Sequence, residues 1–355
     1  MGDFEILDLI DANKWNEYIQ LLPKNQQDVY YTPGYYNLFE DLGDGKATCF
    51  VYKEGQNLAL YPFLINSVND LGYELGRKYY DIQGAYGYNG LIASSIEKDF
   101  ILNYFKAFHA YCKEQEIIAE FTRFHPLLMN EQVFKENLEI IFNRKTVFLE
   151  LTSGYQNILK HSYNKQVGKK CRKASTEGLS YLIADKEKDY DDFYELYIET
   201  MKNLNANSYY YFSPEMFKNI RVYLHDHHSL ILAKLDDKIV GGFILIYDGI
   251  YAHNFLSAGL FKYRSLNVND FMQDVAIQIA IKKNCTYLHF GGGNSSDEND
   301  SLYSFKCKFS NMKSKFYIGK KIHNVNVYKD VVNQWSVKYP EKDELYKNML
   351  LKYRN

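Results

Sequence analysis

The sequence predicts an α/β protein built from two similar halves, each a mixed sheet flanked by helices. Hydrophobic residues make up 46% of the 355 residues, as in a typical globular protein, and a chain of this length exceeds what one core usually organises. The order of predicted elements is strand, strand, helix, strand in each half, with one additional strand in the second. This repetition indicates a duplicated α/β unit.

In the first half, apolar alternation predicts paired strands at 48–52 and 58–65. A helical stripe of apolar residues then spans 96–116, and a further strand is predicted at 117–124. Between them lies the glycine-bearing stretch YYDIQGAYGYNGLIAS, whose Asp81 is a candidate cleft residue.

The second half shows the same order, with strands predicted at 229–234, 239–247 and 250–257. A helix follows at 268–283, and a strand at 285–290. A strand at 146–151 marks the join. We therefore predict a first domain over residues 1–150 and a second over residues 151–355.

Composition excludes several classes of protein. The net charge of -2 provides no chain-wide field for nucleic acid, so DNA is not an expected partner. Five scattered cysteines without a C-x-x-C pair argue against disulfides and against a zinc site, and no other metal is indicated. No apolar run approaches the roughly 20 residues of a membrane span. We expect a cytoplasmic protein, or one peripheral at the inner membrane face.

A basic helix is predicted between the halves, within YQNILKHSYNKQVGKKCRKASTEGL. Lys165, Lys169 and Arg172 recur at helical spacing on one face, and no acid occurs from Lys160 to Ala174. One interpretation is a solvated helix face. The other is a surface that binds phosphates of a nucleotide, a tRNA or an anionic lipid carrier.

The stretch FGGGNSSDENDSLYSFKCKFS, residues 290–310, contains the strongest candidate site. It lacks the GxxxxGK[ST] pattern, and the acids after the glycines would repel a phosphate, so a phosphate-binding loop is excluded. A mobile connecting loop is one remaining interpretation. The other is the rim of an active site, because Asp300 or Ser301 can cap a helix that holds Lys306 beside the glycines at a strand end.

The segment GGG…DSLYSFKCKF resembles the C-terminal signature of the Fem-type aminoacyltransferases. The segments YGYNG, RFHPL, KQVGKKCRKASTEGL and IYAHNFLSAG are similar to family segments in the same order, roughly from Tyr31 to Lys315. The resemblance implies two tandem GNAT-like acyltransferase domains. It also implies an N-acyltransferase that moves an aminoacyl or small acyl group onto an amine of an amino sugar or cell-envelope precursor.

The resemblance places Lys306 and Phe305 at the catalytic position, where the lysine would stabilise an oxyanion. The resemblance also aligns further residues with substrate-binding positions of the family. The basic helix and the glycine loop supply the other candidate substrate-binding residues. His125 is alternatively an ordinary core histidine, and YGYNG a tight turn that requires Gly87 and Gly90. The candidate substrate-binding residues are Tyr86, Tyr88, Asn89, Arg123, His125, Lys165, Lys169, Arg172, Tyr210, Tyr211, His253, Gly291, Gly292, Gly293 and Asn294.

The sequence leaves the acyl donor open. No long heptad arm is present, which argues against a large tRNA partner, and LFKYRSLNVND after Gly259 lacks the glycines of the usual coenzyme A loop. We expect no tightly bound cofactor. The donor co-substrate is aminoacyl-tRNA, acyl-CoA or an acyl-carrier protein, and the acceptor is a nucleotide-linked or lipid-linked glycan precursor. A non-catalytic protein that binds such precursors is the alternative of another class.

Overall fold

The structure, a computed structural model, describes residues 2–355, which form two compact units. The first unit contains residues up to 143 together with residues 316–355, and the second contains residues 144–315. Among residues 2–355, no helix combines the length and the apolar character needed to cross a membrane.

The first unit is a mixed sheet with helices. Its strand order is β1-β2-β3-β4-β6-β13, with β5 paired to β3, and only β4 and β6 run parallel. Its strands are β1 (Asp3–Leu7), β2 (Lys46–Glu54), β3 (Asn57–Ser67), β4 (Tyr80–Gln83), β5 (Ile92–Ala93), β6 (Ile117–Arg123) and β13 (Lys313–Ile322, of which residues from 316 onward belong to this unit). Its helices are α1 (Ala12–Leu21), α2 (Pro33–Asp41), α3 (Lys98–Glu114), α10 (Val325–Lys338) and α11 (Pro340–Asp343).

The second unit repeats this plan. Its strand order is β8-β9-β10-β11-β12-β7, and only β11 and β12 run parallel. Its strands are β7 (Glu139–Glu150, of which residues from 144 onward belong to this unit), β8 (Leu179–Ala184), β9 (His228–Leu235), β10 (Lys238–Asp248), β11 (Tyr251–Gly259) and β12 (Tyr287–Gly292). Its helices are α4 (Tyr155–His161), α5 (Lys165–Thr176), α6 (Glu187–Asn203), α7 (Pro214–Tyr223), α8 (Val268–Lys282) and α9 (Ser301–Lys306).

The predicted duplication is present in the topology of the two sheets. In each unit an antiparallel hairpin is followed by a third strand, a helix and a strand parallel to the third; these last elements are β4, α3 and β6 in one unit and β11, α8 and β12 in the other. The α/β fold class and the order of elements are thus as predicted.

The C-terminal segment lies in a different unit from the one predicted. The sequence predicts residues 316–355 in the second domain, whereas they belong to the first compact unit. The physical reason is the pairing of two strands. Strand β7 follows the first unit in the chain but pairs within the second, and β13 follows the second unit but pairs within the first. Residues Ile318–Ile322 of β13 pair with β6, while Thr146–Glu150 of β7 pair with β12.

Large aromatic side chains fill the core of the first unit. The buried stripe of α3, which includes Tyr104, Phe105 and Phe108, packs on Phe50 and Tyr61 of the sheet. Rings meet edge to face, with 5.2 Å between the centroids of Phe50 and Phe108. Such contacts add to the burial of apolar area. The abundance of tyrosine therefore serves packing here.

Asp81 is a structural residue of the first unit. Its buried carboxylate accepts hydrogen bonds from Arg354 Nε at 2.8 Å and from the Tyr353 hydroxyl at 2.9 Å. Burial raises the pKa of Asp81, and the Arg354 guanidinium opposes that shift. These bonds fasten the last residues of the chain to β4.

We predict that Arg354→Met lowers the free energy of unfolding by about 2–4 kcal/mol, because it leaves the buried Asp81 carboxylate without its cation. Urea denaturation measures this change. Lys46→Met is the control, because it removes an exposed ion pair with Asp8 and should change stability by less than about 1 kcal/mol. Equal effects of the two variants would contradict the structural role of Asp81.

Candidate active site of the second unit

The central parallel strands of the second unit separate partway along their length. Strands β11 and β12 pair only over Tyr251–His253 and Tyr287–His289. Beyond that point β11 stays bonded to β10 and β12 to β7, and each pairing shifts register by a residue. Such bulges bend strands. The result is a gap at the C-terminal ends of two parallel strands, a location where α/β sheets commonly bind ligands.

Three consecutive glycines form the end of β12 and the loop that follows it. A Cβ atom on Gly291 would lie 3.3 Å from Lys306 Nζ, and its φ of +79° also favours glycine. A Cβ on Gly292 would lie 2.8 Å from Arg144 Cδ, and one on Gly293 would lie 2.4 Å from Asp300 Oδ1. The glycines therefore allow three charged side chains to approach the strand end closely.

Asp300 fastens this loop and begins α9. Its Oδ1 accepts a hydrogen bond from Tyr303 N at 2.9 Å, and its Oδ2 accepts one from Asn294 N at 3.1 Å. The hydrogen bond from the Tyr303 backbone lowers the pKa of Asp300. Asp300 is thus the N-cap of the predicted helix, and Asn294 contributes a backbone amide to this contact.

Aromatic packing holds α9 against the sheet. Tyr303 and Phe309 are buried in the same core cluster as Phe290 of β12. The half-buried Phe305 lies between this cluster and the surface, with its ring centroid 5.5 Å from that of Phe309. This anchoring fixes Lys306, the last residue of α9, beside the end of β12.

The Lys306 amine is held in a desolvated position. Nζ donates a hydrogen bond to the Gly292 carbonyl at 2.5 Å. Burial lowers the pKa of Lys306 to about 8, Asp300 opposes this shift, and Arg144 adds to it. Within residues 2–355 no carboxylate forms an ion pair with Lys306. When protonated, the amine keeps two N–H groups to offer a developing oxyanion.

Two carboxamides also lie at the gap. Asn254, the first residue of β11 beyond the parallel pairing, donates from Nδ2 to Gln273 Oε1 of α8 at 2.6 Å. Gln273 is buried, with 3% of its surface exposed. The sequence alone does not indicate this pair, because isolated Asn and Gln residues form no recognisable motif.

The remaining predicted contacts of the second unit fall in three places. His253 is buried in the last pair of the parallel ladder, with its ring centroid 5.7 Å from that of His289. Tyr210 and Tyr211 lie between α6 and α7, where Tyr211 is 39% exposed. The third place is α5. Within residues 2–355 no described contact joins either tyrosine to Lys306. Their role in substrate binding therefore stays a prediction.

Helix α5 has a buried side and a cationic side. Val167, Cys171 and Ala174 are buried against the core, and burial raises the pKa of the Cys171 thiol to about 12. The predicted cations of α5 are exposed, and within residues 2–355 none of them forms an ion pair: Lys165, Lys169 and Arg172. The helix begins beside α9, because Asn164 N donates to Lys308 O at 2.7 Å.

In the first unit, hydrogen bonds close the position that corresponds to this gap, beyond the end of the parallel strands β4 and β6. Asn89 and Arg123 exchange two: Asn89 N donates to Arg123 O at 2.6 Å, and Arg123 N donates to Asn89 Oδ1 at 2.9 Å. The Arg123 guanidinium also donates to the carbonyls of Gly84 and Ala85 at 3.0 and 2.8 Å. Two of the candidate substrate-binding side chains thus make structural contacts.

The other first-unit candidates surround His125. Its Nδ1 accepts hydrogen bonds from Leu127 N and Leu128 N, and its Nε2 lies 3.3 Å from Asp28 Oδ2. The Tyr88 ring packs 5.6 Å from the His125 ring, centroid to centroid. The Tyr86 carbonyl accepts a hydrogen bond from Tyr35 at 2.5 Å.

The neighbouring turn, YGYNG, requires glycine, in agreement with the alternative interpretation of this segment as a tight turn. Gly87 and Gly90 have φ of +94° and +108°. A Cβ atom at these positions would lie 2.3 Å from the Tyr30 ring and 2.5 Å from Asn130 Nδ2, respectively. The close packing and the positive φ angles account for the two glycines of YGYNG.

Comparisons with known proteins agree with this architecture. Residues 161–301 match the family model described as an acetyltransferase (GNAT) domain. The structure is similar to the crystal structure of FemX, with a TM-score of 0.72, 14% identity, and coverage of 92% of this chain and 99% of that one. A search of curated protein sequences found no significant match.

Two further solved structures share the fold. One is a C-terminal domain of a putative lysylphosphatidylglycerol synthetase from Agrobacterium fabrum, with a TM-score of 0.54, 12% identity, and coverage of 94% and 96%. The other is a tandem GNAT protein from the clavulanic acid biosynthesis pathway, with a TM-score of 0.50, 7% identity, and coverage of 91% and 99%.

Residues 161–301, which lie within the second unit, thus match an acyltransferase domain of the GNAT type, and this match supports the predicted acyltransferase activity. The chain also shares with FemX the fold of two similar α/β units, which confirms the predicted fold class and the predicted resemblance.

We predict that Lys306→Met raises the free energy of unfolding at pH 7 by about 1–2 kcal/mol. A pKa lowered from 10.5 to about 8 means that folding disfavours the charged amine. The full shift corresponds to about 3 kcal/mol, part of which is offset by the hydrogen bond to Gly292 and by solvent near the half-buried side chain.

The pH dependence gives the matching test. Between pH 8 and 10.5 the unfolded chain binds more protons at this lysine than the folded chain, so wild-type stability should gain a rising contribution with pH across that window. Urea titrations of both proteins would show the difference between them shrinking as the pH rises. A difference that is independent of pH would contradict a desolvated Lys306.

Proposed function

We propose that this protein transfers an aminoacyl or small acyl group to an amine of an amino sugar or another cell-envelope precursor. The reaction takes place at the gap between β11 and β12. The observation that carries the proposal is the desolvated Lys306 amine, held by the Gly292 carbonyl at that gap. The shared fold of FemX and of a lysylphosphatidylglycerol synthetase domain supports aminoacyl or acyl transfer.

The reaction requires a neutral amine and an activated carbonyl. The amine attacks the carbonyl carbon of an ester or thioester, the C–N bond forms, and the carbonyl oxygen becomes an oxyanion. The Lys306 ammonium stabilises that oxyanion by charge and hydrogen bonding. The C–O or C–S bond then breaks, and the amine loses its proton to the leaving group or to water. Phe305 limits the access of water beside Lys306.

The phosphates of a co-substrate are better placed on α5 than on α8. A helix N-terminus attracts anions, but the first turn of α8 contains Asp270, a carboxylate that is only 7% exposed. In contrast, α5 presents Lys165, Lys169 and Arg172 to solvent. The donor is a charged tRNA, an acyl-CoA or an acyl-carrier protein, and the acceptor is a nucleotide-linked or lipid-linked glycan precursor.

The first experiment offers this panel of donors with amino-sugar and peptidoglycan-precursor acceptors, and mass spectrometry reads the acceptor. We expect the acceptor to gain the mass of an amino acid or an acyl group. Lys306→Met should reduce kcat by about 100-fold or more, because it removes an oxyanion donor. The control Lys282→Met removes an exposed lysine from the end of α8 and should leave kcat within about twofold.

Normal turnover of Lys306→Met would remove the lysine from the mechanism. Ligand binding by the wild type without turnover over the whole panel would favour the non-catalytic alternative instead. A pH profile adds a second criterion, because the active ammonium is lost as the pH rises through about 8. Lys306→Arg, which keeps its charge, should not show that loss.

The role of α5 has its own test. Changing Lys165, Lys169 and Arg172 together to Gln should raise KM for the phosphate-bearing co-substrate by about tenfold or more and should flatten its salt dependence. The matched control changes Lys98, Lys106 and Lys113, exposed lysines of α3, in the same way. Similar KM values for both triple variants would show that α5 is only a solvated face.

A further inference from the structure

The loop between β11 and α8 holds a phenylalanine out in solvent. This loop is a short 3-10 helix, Phe261–Leu266, and 64% of the Phe261 side chain is exposed. Two of its residues face inward, because Tyr263 and Leu266 pack against the core of the second unit. The loop is therefore anchored, and its conformation keeps the Phe261 ring away from the core, although burial of an apolar ring is favourable.

The same loop is cationic. The Arg264 guanidinium lies 4.2 Å from the centroid of the Phe261 ring, and Lys262 Nζ lies 5.3 Å from the centroid of the Tyr263 ring. Both cations are exposed, and the loop contains no acid. Within residues 2–355 no carboxylate is described in an ion pair with Lys262 or Arg264. An exposed apolar ring is thus flanked by two uncompensated positive charges.

Helix α5 extends this charge. Cys171 Sγ lies 3.4 Å from the carbonyl oxygen of Asp270, in the first turn of α8 directly after the loop. The exposed Arg172 therefore belongs to a helix that borders the loop. Glu177, at the end of α5, pairs with a lysine of the same helix. The β9–β10 turn at this end of the sheet, residues 234–238, has two acids and two lysines and adds no net charge.

A second exposed apolar side chain lies beside the loop. Gly259 N, at the end of β11, donates to Thr200 Oγ1 of α6 at 3.2 Å. Leu204 follows Thr200 by one helical turn, and 68% of its side chain is exposed. The last turn of α6 also supplies Lys202. An aliphatic side chain does not stack on a nucleic-acid base, whereas Leu and Phe both enter the boundary region of a bilayer, so this surface favours lipid over RNA.

We infer that the loop Phe261–Leu266, together with Leu204 and the exposed cations of α5, docks the protein on the surface of an anionic lipid bilayer. Phe261 and Leu204 enter the boundary between headgroups and acyl chains, and Lys262 and Arg264 bind lipid phosphates. The apolar and the electrostatic contributions together give a reversible attachment. Attachment needs no turnover, so the inference goes beyond the proposed reaction.

The docking surface lies at the same edge of the sheet as the candidate active site. The loop follows the C-terminal end of β11, and Lys306 lies beside the C-terminal end of β12, which runs parallel to β11. A docked protein therefore holds its site close to the bilayer. Of the two acceptor forms proposed above, this position favours the lipid-linked precursor, a consequence that rests on the proposed function.

The test measures co-sedimentation of the full chain with vesicles of phosphatidylcholine alone and of phosphatidylcholine with about one third phosphatidylglycerol. We expect the wild type to bind the anionic vesicles at least about tenfold more strongly, and to lose this binding as salt is added. Phe261→Ser should weaken the binding by about five- to tenfold and keep its salt dependence. The double variant K262Q/R264Q should weaken it by about tenfold and flatten its salt dependence.

Two further variants separate docking from folding effects. Ile96→Ser is the control, because it removes a side chain that is 75% exposed in the first unit, next to Glu97, and should leave vesicle binding within about twofold. Phe261→Trp should keep the binding, and its emission should shift to the blue with anionic vesicles as the indole leaves water. Thermal melting checks that all variants remain folded.

Equal binding of the wild type to both vesicles, or no binding to either, would overturn the inference. So would loop variants that bind anionic vesicles as well as the wild type does. Filter binding of bulk tRNA tests the other partner class: loss of tRNA binding in the loop variants with unchanged vesicle binding would assign the loop to RNA instead. A failure of the proposed transfer reaction would appear separately, as vesicle binding without any transferred mass in the donor panel.

Discussion

The site of the second unit depends on one interruption of hydrogen bonding, the point at which β11 and β12 cease to pair. A parallel pair in the middle of a sheet normally continues until one strand ends. Here the pairing stops at His253 and His289 although both strands continue, because each shifts register against its outer neighbour. Beyond that point, the residues of β11 and β12 do not have to pair with each other. The three glycines and Lys306 occupy the resulting space on one side, and Asn254 occupies it on the other.

The two units show what this interruption changes. They share the strand order and the helix between the two parallel strands. In the first unit the corresponding strands stay connected, since Asn89 and Arg123 complete the hydrogen bonding past the end of β4. Closure satisfies buried backbone groups and favours stability. The open unit instead carries a lysine whose charge is costly in that environment, a pattern typical of functional sites.

The sequence predicted the elements well because their signals are local. Alternation identified β2, β3, β9 and β10, and the Asp300 cap with its following aromatic residues identified α9. The position of residues 316–355 was not predictable, because the exchange of β7 and β13 depends on pairings between segments far apart in the chain. A bulge leaves no clear pattern in one sequence, so the gap was missed, and with it Asn254 and Gln273. The sequence indicates Arg123 and Asn89 as candidates, but it does not distinguish hydrogen bonds within the protein from contacts with a substrate.

The central claim is that acyl transfer occurs in this gap with Lys306 at the carbonyl oxygen. The most direct measurement is a crystal structure of the protein with a non-transferable analogue of the donor, in which a ketone replaces the reactive ester or thioester. We expect density between β11 and β12, with the ketone oxygen about 3 Å from Lys306 Nζ. An analogue bound elsewhere, with Lys306 still bonded only to the Gly292 carbonyl, would contradict it.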